Sequence, residues 1–468
     1  MSVYTSDTIK PTVSPAKRTK QAVNPIRVIC RQIPVINKER ETLGLDPLID
    51  LTIGQPHIPM NTAILEKLIE KLQEIKDLPR EQITKEMGYS NSSGLPEARE
   101  AISRFYNYTY PEVKAQDPFT PEEVIVCNGA AGGMVLALKT LIEDSDVVAS
   151  ISPCFPAYYN QIEDCGGTLA EIRVSPDSSF AETIDFFLSQ RPKVKAFIWN
   201  DPNNPLGTKQ NRKSLEDVAK VLRMYPNLII IHDEVYREIV HNGPCLSLIN
   251  VAPDLKNRSI IIRSLAKELA GAPGIRGGMV SAPTALLSPR GEHHNIIQYM
   301  SNEQLRDTVS VNVFTQHALI IALEEKMNGN SDKWERMIQN EYRQNVQYMS
   351  NLLTQEGLPP LYKPEGAFYI VVNAKAFLGK EIPDTLVVDN DDGTGTKYSN
   401  LHEMIGSSTL ENDIHISTFL LHIAGVATVP GSGFGLKKED ATLRISCANT
   451  LENLRTAVEQ MSMAKSLL

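Results

Sequence analysis

The sequence lacks the features of two large classes of protein. No segment approaches the roughly 18 uninterrupted apolar residues that a membrane-spanning helix requires. Basic residues are not in excess, because 47 lysines and arginines face 56 aspartates and glutamates and leave a formal net charge of −9. A nucleic-acid groove needs a basic face to neutralise phosphates. We therefore expect neither a membrane protein nor a nucleic-acid-binding protein.

Cysteine is scarce, and the sequence contains no repeat or low-complexity tract. The six cysteines, at positions 30, 127, 154, 165, 245 and 447, show neither CxxC spacing nor the density of a disulfide scaffold. We expect reduced thiols, which favours the cytosol. Residues 1–24 are rich in serine and threonine and have no apolar signal-peptide region, so we predict a mobile arm, with an organelle transit peptide as the alternative.

What the sequence does contain is a succession of short apolar runs rich in β-branched residues, with helical stretches between them. Examples are "EEVIVCNGAAGGMVLALKTLI", "VKAFIWNDPNNPLGT", "NLIIIHDEVYRE" and "SIIIRSLAKE". This alternation predicts an α/β fold with a mostly parallel sheet that is covered by helices on both faces. In such sheets, ligands bind beyond the carboxyl ends of the strands. Polar residues at those ends are therefore the first candidates for a site.

The length of 468 residues is enough for two or three domains. After residue 301 the pattern changes to two long amphipathic helices, "NEQLRDTVSVNVFTQHALIIALEE" and "KWERMIQNEYRQNVQYMSNLLTQ". We predict a large domain over residues 56–325, and a smaller α+β domain formed by residues 25–55 together with residues 326–468.

Residues 380–415 are polar and rich in turn formers, and we predict a solvated loop there. The run "DNDDGTGTK" within it has a faint similarity to a calcium-binding loop. Counted from Asp389, however, the twelfth position is Asn400, whereas a calcium loop requires a bidentate glutamate at that position. We expect no metal site.

Three consecutive strands are followed by residues with distinct chemistry: Asn204, then Asp233 with Tyr236, then Ser264 with Lys267. A lysine at the mouth of an α/β sheet can act as an amine nucleophile, and its commonest cofactor partner is the aldehyde of pyridoxal phosphate. That cofactor also needs a carboxylate at its pyridine nitrogen, donors to its ring oxygen and a cup for its phosphate.

Each of these needs has a candidate. Asp233 would pair with the protonated pyridine nitrogen, and Tyr236 and Asn204 could both donate to the ring oxygen. The stretch "NGAAGG", residues 128–133, lies between a strand and a helix, where free backbone N–H groups and the helix dipole attract an anion. Further candidates are Ser264 and Arg276 for the phosphate cup, and Phe155 or Tyr158 for stacking on the ring.

These motifs stand in the order found in one family. "DPNNPLGT", "HDEVY", "SLAK" with "PGIRGG", "PEGAFY", "VPGSGFG" and "LRISCA" resemble the class I/II aminotransferases, which are pyridoxal-phosphate enzymes of fold type I and include aspartate aminotransferase-like proteins. The resemblance covers the chain from about residue 25 to the end. It implies a large domain built on a seven-stranded, mostly parallel sheet and a smaller α+β domain.

The resemblance also implies roles for individual residues. Lys267 would form the Schiff base with the cofactor, and Asp233 and Tyr236 would be its catalytic partners. Arg444 in "ATLRISCA" matches the arginine that grips the substrate α-carboxylate, for which its planar fork is suited. The implied cofactor-binding residues are Gly129, Ala130, Ala131, Phe155, Tyr158, Asn204, Asp233, Tyr236, Ser264, Lys267 and Arg276. The implied substrate-binding residues are Gly54, Asn204 and Arg444.

Tyr89 in "GYSNSSG" matches a tyrosine that reaches the phosphate of the neighbouring subunit, which implies a homodimer with shared active sites. Two departures stand out. Lys267 and Arg276 are nine positions apart where eight is usual, so one residue is inserted in that turn. Leu206 also stands where threonine is common.

The implied reaction is a ping-pong transamination between an L-amino acid and a 2-oxo acid, in which the freed Lys267 amine moves the α-proton. A β-lyase, a decarboxylase or a cyclising synthase on the same fold is the alternative, followed by a non-catalytic ligand sensor. A nucleotide-binding Rossmann protein is not supported, because "GSGFG" is not a GxGxxG motif between a strand and a helix.

Overall fold

A seven-stranded sheet forms the centre of the chain in this computed structural model, which describes residues 25–175, 178–287, 291–389 and 395–468. Its strands are β1 (Val124–Asn128), β2 (Val147–Ser152), β3 (Thr168–Arg173), β4 (Val194–Asn200), β5 (Ile229–Asp233), β6 (Ser259–Ser264) and β7 (Gly277–Ser281). Their order across the sheet is β1-β7-β6-β5-β4-β2-β3, and only β7 runs antiparallel to its neighbours. The predicted α/β fold is confirmed.

The direction of β7 places its first residue at the edge of the sheet where its neighbours end. Gly277 pairs with Asn128, the last residue of β1, and Gly278 pairs with Ser264, the last residue of β6. Arg276, which directly precedes β7, therefore lies at the same edge as the carboxyl ends of the parallel strands.

Helices cover both faces of this sheet. The α-helices are α1 (Pro25–Thr42), α2 (Thr62–Lys76), α3 (Arg80–Glu86), α4 (Pro96–Thr109), α5 (Pro111–Lys114), α6 (Gly129–Leu141), α7 (Ala157–Glu163), α8 (Phe180–Ser189), α9 (Arg212–Arg223), α10 (Leu248–Val251), α11 (Ile296–Asp307), α12 (Val313–Met327), α13 (Asp332–Gln355), α14 (Leu401–Ile405), α15 (Asp413–Phe419) and α16 (Leu451–Ser466). None of the helices in the described ranges combines the length and the apolar character needed to cross a membrane.

Strand side chains alternate between two apolar cores, as the twofold period of a β-strand requires. On β1, Val124 and Val126 belong to the core that α4, α8, α9 and α12 cover. Ile125 and Cys127 belong to the opposite core, under α6, α7 and α11. Both faces of the sheet are therefore buried, which explains why its strands read as continuous apolar runs.

A second, smaller sheet contains strands β8 (Tyr369–Asn373), β9 (Val429–Pro430) and β10 (Thr442–Ser446), in the antiparallel order β8-β10-β9. Its core includes residues of α13, α15 and α16 together with Leu51. The short strand Ile49–Asp50 pairs in parallel with Val426–Ala427. Residues from both ends of the described chain thus share one core.

The first of the two long helices predicted after residue 301 is in fact two helices. α11 ends at Asp307, and α12 begins at Val313 after a short non-helical stretch. The Oδ1 atom of Asn312 accepts a hydrogen bond from the backbone N–H of Phe314 at 2.8 Å and so caps α12. Val309 has a left-handed backbone, with φ of +66°, which interrupts any helix.

The prediction of a solvated loop over residues 380–415 is wrong for the part of that segment that the structure describes. Thr385–Asp389 and Gly395–Ser399 form an antiparallel hairpin, and α14 and the start of α15 follow it. Leu386, Leu401 and Leu410 are buried in the core of the smaller sheet, and this burial stabilises the segment. Residues 390–394 of the calcium-like run, and the predicted arm of residues 1–24, lie outside the described residues.

The six cysteines agree with the expectation of reduced thiols. Each of the six cysteines is a free thiol. Across the four described ranges, no group of three or more histidine, cysteine, aspartate or glutamate side chains is arranged to hold a metal ion.

Candidate active site

Lys267 lies in a π-helical turn, Leu265–Leu269, that begins directly after β6. The Ser264 side chain accepts a hydrogen bond from the backbone N–H of Ala266 at 3.3 Å and so shapes the start of this turn. The Lys267 amine donates a hydrogen bond to the backbone carbonyl of Gly54. π-helical turns are rare and are frequent at functional sites, because they redirect a side chain without ending the helix.

The surroundings of Lys267 favour its neutral amine. Burial, together with the positive charges of Arg276 and Arg444, lowers its pKa to about 8. The negative charge of Asp233 acts in the opposite direction. At this pKa about a tenth of the amines are unprotonated at pH 7, far more than for an ordinary lysine. The side chain is therefore suited to act as a nucleophile and as a proton acceptor.

Asp233 is the last residue of β5, and one oxygen of its buried carboxylate has no hydrogen-bond partner in the described residues. Oδ2 accepts a hydrogen bond of 2.5 Å from the Tyr158 hydroxyl. Oδ1 is buried and has no hydrogen-bond partner among the described residues. Burial raises the pKa of Asp233 to about 6. A buried acceptor without a partner is costly, so this oxygen marks the place for a donor, and a protonated pyridine nitrogen fits it.

A set of buried polar groups lies between the two sheets. The hydroxyls of Tyr236 and Tyr369 are 3.0 Å apart. The Arg444 guanidinium lies over the Tyr369 ring, 4.5 Å from its centroid, and donates to Oδ1 of Asn204 at 3.4 Å and to the carbonyl of Thr52. Arg444 is fully buried, yet its Nε atom has no partner in the described part of the chain. A buried cation with spare donors is suited to bind an anion.

The start of α6 and the turn before β7 form a second concentration of donors. The Asn128 side chain does not cap α6, so the backbone N–H groups at the start of this helix are available to an anion. Arg276 Nη2 donates to the Asn128 carbonyl at 3.3 Å. A Cβ atom on Gly129 would lie 2.7 Å from this Nη2 atom, so only glycine allows so close an approach. This geometry fits a bound phosphate.

The profile of the family described as "Aminotransferase class I and II" matches residues 46–461, which is most of the chain. The chain belongs to this family. It is a pyridoxal-phosphate-dependent aminotransferase, as the sequence motifs imply.

Individual relatives agree with this assignment. The chain is 26% identical over 427 residues to an aspartate aminotransferase of Bacillus sp. (strain YM-2), covering 91% of this chain and 93% of the relative. It is 25% identical over 417 residues to an aspartate/prephenate aminotransferase of Nitrosomonas europaea, covering 89% and 91%.

Solved structures show the same fold. An aspartate aminotransferase from Rhizobium meliloti has a TM-score of 0.78 at 22% identity, covering 98% of this chain and all of that one. The Thermus thermophilus aspartate aminotransferase with maleate has a TM-score of 0.75 at 23% identity, covering 97% and 100%. Fold type I is thereby confirmed for this aminotransferase.

The contacts of the two aromatic residues predicted to stack on the cofactor ring distinguish one from the other. Tyr158 was expected to stack on the cofactor ring, but it is buried and its hydroxyl contacts Asp233. Phe155 is half-buried and packs edge-on against Tyr158 with ring centroids 5.7 Å apart. Of the two, Phe155 is therefore the remaining candidate for stacking. Tyr89 is 88% exposed and touches little of its own chain.

The structure brings most other predicted residues of this aminotransferase together. Gly54 accepts from Lys267, and a Cβ atom on Gly54 would lie 2.8 Å from the Tyr369 hydroxyl. Arg276 has a left-handed backbone, with φ of +61°, in the turn that carries the extra residue. Ala130 and Ala131 follow Gly129 in the first turn of α6.

Sequence reasoning missed Tyr369, although it is the last letter of the quoted "PEGAFY". Its hydroxyl contacts Tyr236 and its ring faces Arg444, so it joins two predicted site residues. The signal available was its place in a motif of the family. Its partners lie more than seventy residues away in sequence, and no local pattern reveals them.

The segment over residues 380–415 also reaches this region. The Asp413 carboxylate accepts from the backbone N–H of Ser432 at 2.6 Å and from the Ser432 hydroxyl at 3.0 Å. Ser432 belongs to the turn Gly431–Phe434, and the Phe434 ring lies 4.9 Å from the Arg444 guanidinium. Asp413 thus holds the turn that covers one side of Arg444.

Proposed function

We propose that this aminotransferase moves an amino group between an L-amino acid and a 2-oxo acid, with Lys267 as the residue that binds the cofactor covalently and moves the α-proton. When bound, pyridoxal phosphate supplies an electron-withdrawing ring that weakens the bonds at the substrate α-carbon. The substrate amino group would take over the bond to the cofactor and free the Lys267 amine, which, with its lowered pKa, would accept the proton of the α-carbon and then donate it again.

Each proposed cofactor-binding residue would contact a different part of the cofactor. The unpaired Oδ1 of Asp233 would accept from the pyridine nitrogen and keep it protonated, and Tyr236 and Asn204 would donate to the ring oxygen. Phe155 would lie against the ring face. The phosphate would accept hydrogen bonds from Ser264 and Arg276 and from the backbone N–H groups of Gly129, Ala130 and Ala131. Tyr158 would hold Asp233 in place. A second subunit would supply Tyr89 to the phosphate.

Substrate binding would centre on Arg444. Its planar guanidinium grips the α-carboxylate in a bidentate manner, which lysine cannot do. The side-chain amide of Asn204 and the backbone of Gly54, both next to this arginine or to Lys267, would orient the amino acid. Fixing both the carboxylate and the amino group directs the α-hydrogen towards the Lys267 amine.

The names of the relatives indicate which donors to test first. They include aspartate, aspartate/prephenate and aromatic-amino-acid aminotransferases. We therefore propose acidic and aromatic L-amino acids as the first substrates to assay, with their 2-oxo acids as acceptors.

The active enzyme would be a cytosolic homodimer with shared sites. A cleft of about 460 Å³ lies beside Arg276 and Asn128, and its lining includes Phe314, a large apolar side chain that is 46% exposed. This cleft would receive part of a second copy, including Tyr89. The seven-stranded sheet with its helices would form a large domain, residues 56–325, and the smaller sheet with its core would form a small domain, residues 25–55 with 326–468.

Two observations together carry the proposal: a half-buried Lys267 whose pKa is lowered, and a buried Oδ1 of Asp233 that has no hydrogen-bond partner in the described residues. The test is borohydride reduction of protein loaded with pyridoxal phosphate, followed by peptide mass analysis. We expect one labelled peptide, containing Lys267, in the wild type and in the surface control Lys195→Ala, and none in Lys267→Ala. We expect Lys267→Ala to retain some cofactor but to lose turnover.

A panel of L-amino acids and 2-oxo acids then separates the possible reactions. Appearance of the amino group on the offered 2-oxo acid supports transamination. Release of pyruvate or carbon dioxide without that transfer would assign the chain to the lyase or decarboxylase alternative. Full activity of Lys267→Ala, or a label on another lysine, would refute the proposed role of Lys267.

A further inference from the structure

Glu268, the residue directly after Lys267, has a fully buried carboxylate. Its Oε1 atom accepts from Nε of Arg263 at 2.9 Å and from Nη2 of the same guanidinium at 2.5 Å. Its Oε2 atom accepts from the backbone N–H of Glu238 at 2.6 Å. One carboxylate thus bridges three separate segments of the large sheet: the end of β6, the π-helical turn, and the turn after β5.

These three segments are the ones that carry the proposed chemistry. Arg263 directly precedes Ser264 on β6, Glu268 directly follows Lys267, and Glu238 lies two residues after Tyr236. Glu268 therefore links the turn of Lys267 directly to the turn of Tyr236. The Ser264 side chain also links the end of β6 to this turn, because it accepts a hydrogen bond from the backbone N–H of Ala266.

Arg263 supplies the positive charge that balances the buried Glu268 carboxylate. The Arg263 guanidinium is fully buried, contacts the Glu238 carboxylate at 3.2 Å and lies over the Phe105 ring, 4.8 Å from its centroid. Lys326 lies 3.8 Å from the other oxygen of Glu238 and pairs with Glu335. Burial raises the pKa of Glu268, while Arg263 and the backbone N–H of Glu238 favour its charged form.

Such a network is poorly explained by stability alone. Removing two charges from water is costly, and well-packed apolar residues often replace a buried ion pair without loss of stability. What the charges provide is a fixed geometry, because three short contacts from one carboxylate allow a single arrangement of the segments that it joins. The fixed geometry matters most at Lys267, the residue next to Glu268, because the position of a reacting group strongly affects its rate.

We propose that Glu268, held by Arg263 and by the backbone of Glu238, is a positioning residue that sets where the Lys267 amine lies relative to Asp233 and Tyr236. Glu268 touches neither substrate nor cofactor and acts through Lys267. This inference rests on the proposed role of Lys267 in the aminotransferase reaction.

The test compares Glu268→Gln with Glu335→Gln in the full-length enzyme loaded with pyridoxal phosphate. Both changes remove one buried negative charge from the same network, but only Glu268 is next to Lys267. We expect similar losses of thermal stability. In Glu268→Gln alone, we expect the half-reaction with amino acid to slow by about tenfold or more at an unchanged half-saturation constant. We expect Glu335→Gln to stay within about twofold of the wild type.

Two further readouts do not depend on turnover. The pH midpoint of the cofactor absorbance should shift by about half a pH unit or more in Glu268→Gln and stay in place in Glu335→Gln. In the cofactor-free protein, competitive acetylation with peptide mass analysis should show a changed pKa for Lys267 in the first variant only. Glu268→Asp, which keeps the charge, should recover part of both effects.

The outcomes distinguish a failure of the proposed function from a failure of the positioning role of Glu268. If the wild type shows no cofactor absorbance and no reducible label on Lys267, the proposed function fails. If the wild type behaves as proposed but Glu268→Gln matches Glu335→Gln in rate and in both pH measurements, only the positioning role is overturned. Should Glu268→Gln not fold, the double variant Arg263→Met with Glu268→Met, which leaves no unpaired charge on either residue, takes its place with the same readouts, and wild-type values there overturn the proposal.

Discussion

The Tyr158 hydroxyl donates a 2.5 Å hydrogen bond to Oδ2 of Asp233, and this leaves Oδ1 as the carboxylate oxygen without a partner in the described ranges. The hydrogen bond also lowers the pKa of Asp233, against the effect of burial. The tyrosine thus both aims the carboxylate and favours its charged form.

Tyr158→Phe should therefore weaken the hold on the cofactor. A hydrogen bond to a charged group contributes about 1.5–3 kcal/mol, so we expect cofactor affinity to fall by roughly ten- to a hundredfold. Equilibrium dialysis with absorbance detection measures this. Tyr159→Phe is the matched control, because the Tyr159 hydroxyl donates a 2.5 Å hydrogen bond to Glu171 instead. Equal cofactor retention by the two variants would contradict the role of Tyr158.

The lowered pKa of Lys267 predicts a pH dependence for cofactor uptake by the cofactor-free protein. Only the neutral amine attacks an aldehyde, so the uptake rate should rise about tenfold per pH unit below pH 8 and level off above it. Stopped-flow absorbance with pyridoxal phosphate follows the reaction. A midpoint near the ordinary lysine value of 10.5 would show that the environment does not act as described.

Arg276 contributes to this lowering through its positive charge. In Arg276→Gln the midpoint of the uptake profile should therefore move towards higher pH. Arg306→Gln, a change on the exposed side of α11, should leave the midpoint unchanged. An unmoved midpoint in Arg276→Gln would mean that Arg276 does not contribute to the lowered pKa of Lys267.

Arg444→Lys tests recognition of the substrate carboxylate. Lysine keeps the positive charge but loses the planar fork, so we expect KM for the amino acid to rise by roughly ten- to a hundredfold with a smaller change in kcat. Steady-state kinetics with aspartate and phenylalanine measure both constants. Arg455→Lys on the exposed face of α16 is the control. A fall in kcat at constant KM would place Arg444 elsewhere in the reaction.

Gly129→Ala tests the phosphate cup. Gly129 has φ of +70°, and the added methyl group would press on Nη2 of Arg276 at 2.7 Å. We expect about tenfold weaker binding of pyridoxal phosphate by calorimetry, and little change for pyridoxal, which has no phosphate. Gly274→Ala, whose methyl group would meet no atom within 4 Å, is the control. Equal losses for both ligands would indicate a general distortion.

Sequence reasoning located the strand ends of the site, because each is preceded by a run of β-branched residues and followed by a polar one. Asp233 and Ser264 were found in this way, and Lys267 followed from its position after Ser264. The choice between Phe155 and Tyr158 for ring stacking was harder. Nothing in the sequence around Tyr158 shows that its hydroxyl donates to Asp233.

Other features depend on contacts that no local pattern records. Glu268 looks like an ordinary surface residue of a short helix, and only the position of Arg263 and of the Glu238 backbone shows that it is buried. The break before α12 could have been predicted from Asn312, a good capping residue. Apolar periodicity on both sides of it hid the signal.

The reversed direction of β7 has a consequence for how this enzyme can vary. Because the chain leaves the edge of the sheet through Lys267 and returns to it through Arg276, one contiguous peptide of ten residues delivers both the amine and the guanidinium. Its length sets their separation without any change to the strands. An inherited insertion or deletion confined to this loop would retune the charge felt by the nucleophile while leaving the scaffold intact.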